Sequence, residues 1–112
     1  MGASAVRLAL VTCPVASAET LAHALVEARV AACVNVLPSV TSTYRWQGEV
    51  SRDTEALLLI KTTDAAFDAL RREVLAHHPY ELPEVIALDV AAGHAPYLEW
   101  IAASVGPRDA SE

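Results

Sequence analysis

Lysine is almost missing from these 112 residues: Lys61 stands alone, and 8 basic side chains face 14 acidic ones, for a net charge of −6. Nucleic-acid backbones and anionic membranes are held by basic patches, so neither is expected as the main partner. No stretch approaches the roughly 20 nearly uninterrupted apolar residues of a membrane-crossing helix. Cysteine is scarce as well, with only Cys13 and Cys33. A chain this long buries roughly 60–70% of its unfolded surface and needs no disulfide staple. Two reduced thiols in a cytoplasmic protein are therefore expected. The opening residues have no basic start before an apolar run, so no secretory leader is expected. Glycine-rich phosphate loops, G-x-S-x-G elbows and H-E-x-x-H helices are absent. No nucleophile is paired with a base in the sequence, and no enzyme is expected.

What is present is apolar: 54% hydrophobic and 20% charged residues specify a folded chain of one domain. That domain is expected over 6–105, after a short extension at 1–5 and before a polar tail at 106–112. Val6–Cys13 is a short apolar run ended by Pro14, which reads as a buried strand. Ser17 is a candidate N-cap for a helix over 18–31, whose stripe is Leu21, Leu25, Ala28 and Ala32. Strand character resumes at Cys33 and stops at Pro38. A second strand-like stretch, Thr41–Trp46, runs into a tight turn at Gln47-Gly48. The strand that follows is polar over Glu49–Glu55 and apolar over Ala56–Ile60.

Thr63 or Asp64 can cap a second helix with Phe67, Leu70 and Val74 on its stripe, ended by Pro79. Pro83–Val90 is expected as the fourth strand, and Pro96 opens a last helix carrying Tyr97, Leu98, Trp100 and Ile101. The order β-α-β-β-α-β plus a terminal helix is the α+β, ferredoxin-like order. Two helices cover one face of such a sheet. The central strands, Leu8–Val11 and Ala56–Ile60, do not alternate, so both of their faces are apolar. Either the C-terminal helix or a neighbouring subunit must cover the second face.

Four groups of residues carry possible chemistry. His77-His78 is the most suggestive metal pair, with Glu81 and Glu84 nearby and a distant cysteine to complete a site. The alternative is a helix C-terminus where imidazole suits the dipole. Cys13, before a helix, is either a lowered-pKa thiol or a small buried apolar residue. Lys61 ends the apolar run of the third strand, either facing an anionic ligand or pairing with Glu55 or Glu84. Tyr44 and Trp46 share a strand face at i, i+2, either to stack on a ligand or to pack across strands.

The segments Ala31–Pro38, Ser42–Gly48, Glu55 leading to Leu59–Thr62, and His78–Glu84 together resemble the CutA divalent-cation tolerance family, over about Val6 to Val105. The resemblance implies a tight cytoplasmic homotrimer with an architecture like that of PII signalling proteins. It also implies tolerance to divalent metals, copper above all. His77 and His78 match paired histidines implicated in copper binding, and Cys13 lies near the accompanying cysteine. Lys61, Tyr44, Trp46 and Glu84 move toward inter-subunit clefts. Three functions then compete: a trimer binding Cu(II)-like ions, a PII-like sensor of small ligands in inter-subunit clefts, and a structural trimer that organises a protein partner. None of them requires a cofactor.

Overall fold

The long apolar runs become the centre of one four-stranded antiparallel sheet. A computed structural model describes residues 5–107. The element order is β1 (Val6–Cys13), α1 (Ala18–Glu27), β2 (Cys33–Trp46), β3 (Glu49–Thr63), α2 (Phe67–His77), β4 (Ile86–Asp89) and α3 (Ala95–Ser104). Strands are ordered β2-β3-β1-β4, which puts the two non-alternating runs side by side as expected. The expected N-terminal extension and polar tail fall, at 1–4 and 108–112, outside the described residues.

Paired residues in an antiparallel ladder point to the same face. Ala9, Val11 and Cys13 of β1 share one face with Ala56, Leu58 and Ile60 of β3, all fully buried, and there meet Leu21 and Leu25 of α1 and Leu70 and Val74 of α2. The other face carries Leu8, Leu10, Leu57 and Leu59, half-buried, flanked by Leu37, Ile86 and Leu88 at 38%, 49% and 53% exposure. Helix α3 lies against β1 and β3 and buries Ile101, yet leaves those flanking residues open.

Several boundaries and one cap differ from expectation. Helix α1 stops at Glu27, not 31, because Arg29 takes the left-handed conformation (φ 62°). Its N–H bonds Val26 O at 3.0 Å and Val30 N–H bonds Leu25 O at 3.2 Å, the two hydrogen bonds of a Schellman ending. Arginine fills the usual glycine position because its side chain is used: Nε donates to Gly106 O at 2.6 Å, at the end of α3. Ser17 ends a 3-10 turn and makes no side-chain cap bond. Strand β4 is confined to Ile86–Asp89, since Pro83–Val85 do not join the ladder.

Pro38 does not end its strand. A bulge between Leu37 and Val40 absorbs it, and β2 continues as one strand to Trp46. This is tolerated because β2 is an edge, where a missing N–H costs no ladder bond. The extra residue also reverses the side-chain phase. Val34 and Val36 point toward the helices, whereas Val40, Ser42, Tyr44 and Trp46 join Glu55 and Asp53 on the open face. Beyond Cys13↔Ala56, β2 and β3 pair only with each other, making a two-stranded arm. Gln47 (φ 52°) and Gly48 (φ 84°) close it, the double positive φ of a type I′ turn. The radius of gyration, 14.9 Å, exceeds the roughly 13 Å of a compact domain this long because of that arm.

Candidate functional site

Where the arm leaves the sheet, the open face is recessed into a cavity of about 660 Å³. The bulge aims Tyr44 and Trp46 into its wall. The segment after α2 supplies Tyr80, Glu81 and Glu84, and β1 and β3 supply Thr12, Asp53 and Glu55. Three of the four cleft candidates, Tyr44, Trp46 and Glu84, therefore meet in one place. Lys61 does not: it lies six residues along β3 from Glu55, roughly 20 Å away at strand rise.

Lys61 forms neither expected ion pair. Its ammonium donates to Asn35 Oδ1 and lies 3.8 Å from Cys33 Sγ, both on the neighbouring edge strand. Tyr44 and Trp46 do not pack against cross-strand aromatics, because their partners in β3 are Ser51 and Glu49. The Tyr44 hydroxyl donates to the Asp53 carboxylate, a bond that raises the phenol's pKa.

His78 holds the cavity's second wall. Its Nε2 lies 2.7 Å from the Thr12 carbonyl oxygen, which can only accept, so Nε2 carries the proton. Nδ1 then accepts from the Tyr80 N–H at 3.2 Å. Both nitrogens are engaged at a point where β4 has stopped pairing with β1. The ring also packs on Tyr80, centroids 4.6 Å apart, and the Tyr80 hydroxyl reaches Glu55 Oε2 at 2.8 Å. Burial, then the bond to Glu55, pushes the Tyr80 phenol far upward. Thr12 Oγ1 adds a long contact to Glu84 at 3.5 Å.

His77 faces elsewhere. Its Nε2 is 3.0 Å from Glu73 Oε2, one turn earlier on α2, and both side chains are partly exposed. Cys13 is fully buried on the helix-covered face, and burial followed by the charge of Glu55 raises its pKa, the opposite of an activated thiolate. Among the described residues no group of three or more His, Cys, Asp or Glu side chains is arranged to hold a metal ion. His77, His78 and Cys13 thus have different surroundings: Glu73 on α2, the Thr12 carbonyl with Tyr80, and the buried core. Glu73, Tyr80, Thr12 and Asp53 are participants that the sequence did not single out. Glu73 was findable as the i−4 neighbour of His77; Tyr80 was not, because its partner lies 25 residues away.

The comparisons with known proteins agree with this architecture. The model of the family described as CutA1 divalent ion tolerance protein matches residues 7–104. The divalent-cation tolerance protein CutA of Thermus thermophilus is 55% identical over 89 residues, covering 80% of this chain and 86% of that one. Human protein CutA is 48% identical over 97 residues, 86% of this chain and 54% of its own length, so this chain spans about half of that relative. A solved structure of the Thermus thermophilus protein superposes with a TM-score of 0.88 at 51% identity, over 90% of this chain and 99% of that one. The apo form of a PII-like protein CutA from Nostoc superposes at 0.85 with 32% identity, over 89% and 97%. With a four-stranded antiparallel sheet, three helices and a PII-like relative, the chain belongs to the CutA1 divalent ion tolerance family.

Proposed function

We propose that this chain works as a cytoplasmic homotrimer that binds copper or a similar divalent ion in a metal-response role. The observation carrying the metal part is the His77–Glu73 pair, 3.0 Å apart and open to solvent on one helix turn. An imidazole and a carboxylate at that spacing offer two donors of the kind Cu(II) accepts. Two ligands leave the remaining positions to water, so binding is modest. His78 contributes by holding the Thr12 carbonyl and Tyr80, and would ligate only after releasing one of them. Both cysteines are free thiols, which fits a reducing compartment. The name of the Thermus thermophilus relative, a divalent-cation tolerance protein, supports the same reading.

The test is a Cu(II) titration of the parent, His77→Ala, Glu73→Ala, His78→Ala and the double variant of both histidines. His77→Ala is expected to weaken binding about tenfold or more, and the double variant no less. Protons compete with the metal for imidazole, so affinity is expected to fall as the solution is acidified. Parent-like binding by His77→Ala would remove the proposal.

The open-face cavity favours a second reading, a PII-like sensor of a small polar ligand whose cleft is completed by neighbouring subunits. Tyr44, Trp46 and Glu84 already line it within one chain. A thermal-shift screen of small metabolites, with Trp46 fluorescence as the second signal, separates the readings: a metabolite that stabilises the protein without metal supports the sensor.

A further inference from the structure

Glu55 is a buried acid with no cation. It is 7% exposed, its Oε2 is met by a neutral phenol, and no ion pair involves it among the described residues. A carboxylate removed from water without an opposite charge is strongly destabilising, so this arrangement is incomplete as it stands. On the same open face, Lys61 has the complementary defect. It is half-buried and touches only Asn35 and Cys33, neither of them a carboxylate.

Among the described residues no other strand cation forms an ion pair with Glu55. Arg7 lies on the opposite face, with Ala9 and Val11, and pairs with Asp89. Arg45, opposite Val50, lines the cavity beside Glu55 yet forms no ion pair with it, and Arg52 stands opposite Thr43. The central strand β3 thus presents Glu55, Leu57, Leu59 and Lys61 in line: acid, two leucines, base. Glu55 and Lys61 stand at opposite ends of that row, too far apart to meet within one chain.

We propose that the Glu55 carboxylate of each subunit is paired across the interface with Lys61 of the partner subunit. Each copy gives an acid to one neighbour and a base to the other. Such a contact is head-to-tail, and a rotation that closes it makes a ring. The leucines between the charges supply the apolar area, and the charges set the register. The cleft beside Tyr80 is then complete only in the assembly, with the ion pair that Glu55 does not form within one chain. This rests on the homotrimer reading above.

The experiment compares assembly of the full chain as parent, Glu55→Gln, Lys61→Met and the double variant, by light scattering across a dilution series. Each single change is expected to weaken assembly at least tenfold, because it leaves one buried charge alone. The double variant is expected to be no weaker than the poorer single. The exchanged variant, Glu55→Lys with Lys61→Glu, gives the same answer by rescue, assembling where each half alone fails. A trimeric parent whose single effects multiply in the double variant, or are absent, overturns the pairing and leaves the trimer standing. A monomeric parent overturns both.

Discussion

The two faces of this sheet are made of the same strands and nearly the same residue types, yet only one is finished. On the helix side, Leu58 is sealed between α1, α2 and the sheet with no exposure. On the other side Leu59, its neighbour in sequence, stands among leucines that the chain covers only in part. Helix α3 is ten residues long and cannot shield a sheet whose arm extends the molecule to 50 Å. What this teaches is that an apolar strand without alternation specifies two buried faces, and the chain supplies cover for one. The helix side keeps its buried hydroxyl satisfied, with Thr62 Oγ1 donating to Val30 O at 2.8 Å, whereas the open side leaves Glu55 without a cation.

Adjacent leucines give the sharpest way to break the comparison. Leu58→Ala opens a cavity in the finished core and is expected to lower stability by about 3 kcal/mol, read by denaturant unfolding. Leu59→Asp leaves that core intact but places a charge in the proposed interface, so assembly and fold are expected to be lost together as protein is diluted. If both changes acted equally at every protein concentration, the faces would be equivalent and the account would fail.

Alkali probes both faces at once through Cys13 and Tyr80. Each acid has a folded-state pKa above its ordinary value, 9.0 for the thiol and 10.0 for the phenol. The neutral form is the one the fold favours, so this contribution is whole below the ordinary value and lost as pH climbs through the raised one. Stability is therefore expected to start falling above about pH 9 for the helix-side thiol and above about pH 10 for the open-side phenol. Tyr80→Phe should flatten the upper part of that decline and Cys13→Ala the lower part, in melts recorded along a pH series.

The smallest effect belongs to the arm tip, which serves neither face. Gln47 holds a positive φ that asparagine adopts more readily, so Gln47→Asn is expected to gain about 0.5 kcal/mol in thermal melts without changing assembly.

Much of this was legible in the residues. Runs without alternation at Leu8–Val11 and Ala56–Ile60 identified the central strands, and Gln47-Gly48 identified the turn. Pro38 misled because its meaning depends on position: it ends a central strand but sits easily in the bulge of an edge strand. Arg29 carried no signal for a left-handed helix ending, since its compensation comes from Gly106, 77 residues away. The site was half legible. Tyr44, Trp46 and Glu84 do share a cavity, because strand phase and the bulge bring them there. The roles of His77 and His78 diverge for a reason that adjacency hides: one ring meets Glu73 on its own helix, the other a carbonyl 66 residues back in β1.

The central claim is that copies of this chain cover the unfinished face, and the mass in solution tests it most directly. Light scattering on the purified protein at micromolar concentration should return three times the 11.9 kDa of one chain. A well-folded species at the mass of a single chain would contradict it.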